Sequence, residues 1–169
     1  MKIEPFFDAE TNTLTYVVFD NNSKDAIIID PVLDYDPQAS KITTNNVDKY
    51  TKFLDENNLN LLYSLETHAH ADHLSGSIEL KKRYPETKIA IGKKITEVQE
   101  LFKGVFSFND LKTDGSQFDI MLTEGQSLQA GTIKLDIIET PGHTPACISI
   151  KIDNDVFVGD AIFMPDYGT

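Results

Sequence analysis

The four histidines of this sequence fall in two short segments: His68, His70 and His73 in Thr67-His68-Ala69-His70-Ala71-Asp72-His73, and His143 in Thr140-Pro141-Gly142-His143-Thr144. Imidazole nitrogen and carboxylate oxygen are the donors that zinc, ferrous iron and similar ions accept, and such sites draw several donors from separate segments. Three histidines within six positions at the end of an apolar run do not make a packing pattern. In an extended stretch His68, His70 and Asp72 share one side at period two while His73 turns elsewhere, so one loop would feed two adjacent metal positions. His143 follows Pro141-Gly142, where proline ends a strand and glycine permits a sharp turn. Asp160, behind Val156-Phe157-Val158-Gly159, closes another strand with a carboxylate able to bridge two ions. Together these six residues make one candidate metal site.

The surrounding pattern supplies elements to position them. Residues 3–7, 14–20 and 26–29 are rich in Ile, Val, Phe and Tyr and predict a three-strand meander, with Asn21-Asn22-Ser23 as a turn. Asp30-Pro31 then stops the ladder, and a polar loop is expected to run to about Thr44. Val47, Tyr50, Phe53 and Leu54 recur at helical spacing behind Asn45 as N-cap. Residues 59–66 read as a buried strand whose C-terminal loop carries the first three histidines, the usual position for a ligand site in α/β proteins. A helix after Gly76, closed by Tyr84-Pro85, a strand over 88–91 and a helix over 95–102 follow. Strands are predicted again at 118–122, 132–139, 146–152 and 156–158, punctuated by Gly125, Gly131 and Asp153-Asn154. The three phenylalanines between 102 and 108 are expected in the core.

Composition bounds the function classes. The chain has 169 residues, 40% hydrophobic and 25% charged, which fits one soluble globular domain over 1–169. A formal net charge of −12 argues against a nucleic-acid partner, because that binding depends on Lys and Arg displacing counterions. No apolar run approaches the roughly 20 residues of a membrane span, and residues 1–5 do not read as a signal peptide. The single cysteine, Cys147, cannot pair within the chain, so a reducing cytoplasm is expected. Cys147 itself reads as a small buried hydrophobe rather than a nucleophile.

His-x-His-x-Asp-His after a strand, then Thr-Pro-Gly-His-Thr, then Gly-Asp, resembles the metallo-β-lactamase superfamily in order and separation. The resemblance implies an α/β (α+β) fold, the αββα sandwich. The stretch from Glu66 to Gly76, together with the one from Thr140 to Cys147, is most similar to the persulfide dioxygenase and glyoxalase II branch. The segment after Asp160 looks more like a bacterial β-lactamase-like type. Members of this family continue through an arginine and a last ligand histidine, so the sequence reads as a sandwich lacking its C-terminal part, ending at Thr169.

For a persulfide dioxygenase the resemblance implies one Fe²⁺ per chain held by His68, His143 and Asp160, with a thiol persulfide such as glutathione persulfide and O₂ as substrates. For a glyoxalase II-type hydrolase it implies two Zn²⁺ ions, His68, His70 and His143 on one, Asp72 and His73 on the other, Asp160 between, and a glutathione thioester as substrate. His68, His143, Asp160 and Asp72 are then the candidate catalytic residues. A non-catalytic, incomplete metal-binding domain is the third reading. Unpaired sheet edges leave room for a homodimer.

Overall fold

In the computed structural model, residues 1–164 and 166–168 are described; Pro165 and Thr169, part of the terminal segment singled out above, lie outside them. The elements in chain order are β1 (Lys2–Asp8), β2 (Thr13–Phe19), β3 (Asp25–Ile29), β4 (Val32–Asp36), β5 (Lys41–Thr43), α1 (Asn45–Glu56), β6 (Asn60–Glu66), β7 (Leu74–Ser75), α2 (Ser77–Arg83) and β8 (Lys88–Gly92). They continue with α3 (Ile95–Phe106), β9 (Ile120–Leu122), β10 (Ser127–Ala130), β11 (Ile133–Glu139), β12 (Ile148–Ile152) and β13 (Asp155–Phe157). This is the mixed α/β content that the sequence pattern predicts. Among the described residues no helix is long and apolar enough to cross a membrane.

The chain forms two compact units. The first comprises Met1–Leu65, His70–Ile89 and Gln129–Ile133. Here β1, β2 and β3 pair antiparallel as the predicted meander, and β3 runs parallel to β6. Ala26, Ile27, Ile28 and Ile29 are all fully buried, as expected of a strand covered on both faces. Val47, Tyr50 and Leu54 of α1 pack with Val17, Ile28, Leu61 and Leu80 in one apolar cluster. Their spacing of three and four residues is what turns one face of the helix inward.

Two expectations in this unit are corrected. The stretch from Pro31 to Thr44 is not a loop: β4 and β5 form a hairpin, and β4 also pairs with β7. Pro31 sits just before the strand, where its missing N–H costs no ladder bond, and the Asp36 carboxylate closes the turn by accepting from the amides of Gln38 and Ala39. The helix N-cap is Thr44, one residue earlier than Asn45.

One polar chain crosses this core. Thr15 Oγ1 donates to the carbonyl of Asp30 at 2.6 Å and lies 3.0 Å from the Tyr50 hydroxyl. A threonine has one hydroxyl proton, so Tyr50 must donate to Thr15, and Tyr50 in turn accepts from Val32 N–H at 3.4 Å. Burial pushes the Tyr50 phenol up to about 12, so it stays a donor throughout the physiological range.

The second unit comprises Glu66–Ala69, Ala90–Leu128 and Lys134–Thr169. Within it β8 pairs parallel with β9 from Ala90 to Gly92, and β11, β12 and β13 form an antiparallel ladder. Ile91, Ile95, Val98 and Ala146 make its described core cluster, with Ala69, Phe118 and Met121 packed on it. A β-carbon at Gly92 would lie 2.7 Å from the Ala146 carbonyl oxygen, so glycine is what lets β8 approach the loop that carries His143.

The phenylalanines expected in the core are instead exposed. Helix α3 runs four residues past its predicted end and stops at Ser107 in the left-handed region, φ 55°. Beyond Val98 and Gln99 it leaves its apolar cluster, and Phe102, Phe106 and Phe108 stack on one another at 5.5 Å.

The Thr15–Tyr50 relay should therefore contribute measurably to the first unit. Tyr50→Phe is expected to cost about 1–2 kcal/mol of unfolding free energy, because it leaves buried partners short of a bond. A urea titration reads this, and an unchanged midpoint would contradict it.

Candidate metal centre

His68 lies two residues beyond β6 and is almost fully buried. The carbonyl of the preceding residue, Thr67, accepts from Ile148 N–H at 2.9 Å, which ties this segment to the first residue of β12. His143 sits on the turn between β11 and β12. Thr140 N–H donates to the Cys147 carbonyl at 3.0 Å across the base of that turn, and the Thr144 amide lies 3.2 Å from Cys147 Sγ. Cys147 is buried and serves as the small packed residue that the sequence predicts. Asp160 rides on a single 3-10 turn, Gly159–Ala161, after β13.

These three segments bring their donors together. His143 Nε2 is 3.5 Å and His68 Nε2 is 3.8 Å from Asp160 Oδ2. The two imidazoles meet edge to face, with centroids 5.0 Å apart and planes at 87°. One donor atom from each residue lies within 4.8 Å of the other two. An ion with metal–ligand bonds of about 2.0–2.2 Å holds neighbouring ligand atoms roughly 3–3.5 Å apart. The two separations from Asp160 Oδ2 stand within a few tenths of an ångström of that range, and two imidazoles with one carboxylate are a donor set that fits a borderline divalent cation.

The remaining predicted ligands form a second group, in the first unit. Donor atoms of His70, Asp72 and His73 also lie within 4.8 Å of one another, and the two imidazoles stack at 4.2 Å. This overturns the expectation that His73 turns away from the side of His70 and Asp72. Residues 67–73 are a series of bends rather than an extended strand, so alternation by two does not apply.

The two rings of this group are held differently. His73 Nδ1 donates to the Leu74 carbonyl at 3.0 Å, which leaves Nε2 as a bare lone pair. That nitrogen is buried and has no hydrogen-bond partner, the posture of a ligand atom. His70 Nε2 instead lies 3.2 Å from Asp30 Oδ1, both side chains being buried.

The group lines a cavity of about 1050 Å³ with Asp8, Asp34 and Asp36 on its walls. Burial pushes the Asp8 carboxyl up, but hydrogen bonds from Thr11 and Asn46 prevail and hold it below its usual value. Asp8 therefore stands on that wall as a carboxylate at neutral pH.

Two residues of these surroundings escaped the sequence reading. Asp30 reads in the sequence as the close of a strand, yet it adopts φ 51° and reaches His70. Thr67 Oγ1 lies 3.0 Å from His68 Nδ1. An Asp-Pro pair behind an apolar strand was the available signal for the first; nothing in the pattern marked the second.

Comparison with known proteins adds the following. The family profile described as "Metallo-beta-lactamase superfamily" matches residues 9–169. Glyoxylase B2 of Dictyostelium discoideum is 44% identical over 99% of this chain and 58% of its own length. The mitochondrial persulfide dioxygenase ETHE1 of Homo sapiens is 28% identical over 98% of this chain and 54% of its own. A crystal structure of ETHE1 from Myxococcus xanthus superposes with a TM-score of 0.76 at 26% identity, covering 97% of this chain and 59% of that one. The chain thus spans between half and three-fifths of the length of these relatives.

Titration of the metal-free chain with Co²⁺, followed by visible absorption, tests the first group. His143→Ala is expected to weaken uptake beyond the roughly 10–100-fold that loss of an outer hydrogen-bonding partner costs. Equal affinity for wild type and variant would remove His143 from the ligand set.

Proposed function

Because the chain belongs to the metallo-beta-lactamase superfamily, we propose that it is a metalloenzyme of the persulfide dioxygenase type, oxidising a low-molecular-weight thiol persulfide with O₂ at a single ferrous ion. The observation that carries this reading is the convergence of His68, His143 and Asp160 within 4.8 Å in one unit. Two histidines and one carboxylate are the donor set of non-haem Fe(II) oxygenases, and they leave three coordination positions free. The balanced reaction is RSSH + O₂ + H₂O → RSH + SO₃²⁻ + 2H⁺: the outer sulfur is oxidised, O₂ is reduced, and the S–S bond breaks to release the thiol.

Bound there, iron supplies the redox chemistry. The chain's own residues do the rest. The buried His68 and the more open His143 set a face with a dry side and a solvent side. A single ion also agrees with His70, whose Nε2 is engaged by Asp30. The similarity to a named persulfide dioxygenase supports the same reading. A reducing cytoplasm suits both ferrous iron and the unpaired Cys147.

A second reading has its own observation. The bare Nε2 of His73, grouped with His70 and Asp72, offers ligands to a second ion. With two zinc ions the chain would be a hydrolase of the glyoxalase II type; the ions would supply the acidity that activates water for hydrolysis of a glutathione thioester.

Metal analysis and two assays on the same preparation separate them. One iron per chain with O₂ uptake on glutathione persulfide is the expected result. Two zinc ions with turnover of S-lactoylglutathione and no O₂ uptake would replace it with the hydrolase. His70→Ala is expected to keep O₂ uptake within about tenfold of wild type, a loss of at most roughly 1.4 kcal/mol of transition-state stabilisation, while His143→Ala abolishes it. Equal, complete loss in both variants would argue for the two-metal site.

A further inference from the structure

Thr67 touches His68, the first residue of β12 behind the His143 turn, and the Gly159–Asp160 turn. Its side-chain oxygen lies 3.0 Å from His68 Nδ1. Its carbonyl holds β12 through Ile148 N–H, one residue past the Cys147 that closes the His143 turn. Its side chain also underlies the turn bearing Asp160: a β-carbon on Gly159 would lie 2.9 Å from Thr67 Cβ and closer still to Oγ1. Gly159 has φ +51°, a conformation that carries little cost only for glycine. Thr67 is 1% exposed, so these contacts are dry.

Chemistry limits what the Thr67–His68 contact can be. A neutral imidazole carries one N–H, and the nitrogen without it is the one that can bind an ion. His68 turns Nε2 towards Asp160. If Thr67 donated to Nδ1, the ring proton would sit on Nε2 and block it. The ring can serve as a ligand through Nε2 when its proton sits on Nδ1, and Thr67 Oγ1 at 3.0 Å is placed to accept it.

We infer that Thr67 is a positioning residue of the metal centre, accepting the Nδ1–H of His68 so that Nε2 is left bare, and seating the Gly159–Asp160 turn against its own β-carbon. This rests on the assignment of His68, His143 and Asp160 as ligands. Thr67 touches neither ion nor substrate; it fixes which nitrogen faces the ion and how near the carboxylate stands. An outer partner that fixes a ligand's tautomer typically carries 10–100-fold in metal affinity.

The test combines ¹⁵N NMR of the histidine ring in the metal-free, unmutated chain, at a pH where the ring is neutral, with Co²⁺ affinity of three variants. The His68 proton is expected on Nδ1. Thr67→Val keeps the branched shape without the oxygen and should bind Co²⁺ about 10–100-fold more weakly. Thr67→Ser restores the oxygen and should recover most of that affinity, whereas Gly159→Ala should lose affinity with the His68 tautomer unchanged. A wild-type chain that takes up no Co²⁺ overturns the ligand assignment and this inference with it. A chain that binds Co²⁺ with the His68 proton on Nε2, or a Thr67→Val variant that binds at wild-type strength, overturns the inference alone. The tautomer is read on the unmutated chain, so it decides the matter even if Thr67→Val does not fold.

Discussion

Three donor atoms from positions 68, 143 and 160 have to stand within 4.8 Å of one another, and no covalent link holds them there. Before an ion arrives, the cluster has a cost: the His68 ring is almost wholly withdrawn from water, while His143 and Asp160 stay partly exposed beside it. The scaffold has to make up that cost elsewhere. In the second unit it does so with backbone. The ladder from β11 to β13 carries two of the donors, one on the turn between β11 and β12 and one on the turn after β13, and the Thr67 carbonyl joins the segment of the third to the ladder's central strand. Backbone bonds in a ladder suit this task because neighbouring bonds tend to open together.

The two groups of candidate ligands are held by opposite means. His68 rests against a neutral hydroxyl, which orients the ring without adding charge. His70 rests against a carboxylate, and that carboxylate belongs to a residue in the left-handed region. A non-glycine residue there carries roughly 1 kcal/mol or more of strain. It is held by Thr15 on its carbonyl, Leu65 on its amide and His70 on its side chain, with Tyr50 supporting Thr15 one bond further back. A position this tightly specified serves placement of the side chain rather than packing.

How far the sequence revealed this follows from the range of each interaction. The meander, α1, β6 and the strands around residues 133–157 were legible because period two or period 3.6 is a local property of an apolar pattern. The six candidate ligands could be singled out because three histidines fall within six positions and the fourth follows a Pro-Gly turn. The grouping could not. Period-two alternation presupposes an extended chain, and residues 67–73 bend instead, so His70 and His73 stack where alternation puts them on opposite sides. The β4–β5 hairpin was hidden by Pro31 and Pro37, which signal breaks without saying that one lies just before a strand and the other just beyond it in the turn.

The exposed phenylalanines show the same limit from the other side. Phe102 and Phe106 have the spacing of a buried helical face, and four residues is also the spacing at which aromatic rings on one helix stack on each other. A periodic apolar pattern says which side chains share a face; it does not say that a neighbour covers that face. Coverage depends on where the partner element ends, here at the cluster around Val98, and that is a property of the whole chain. The metal centre obeys the complementary rule. Thr67 has no periodic signature at all, because its contacts run to positions 148 and 159, and only the fold brings those within reach.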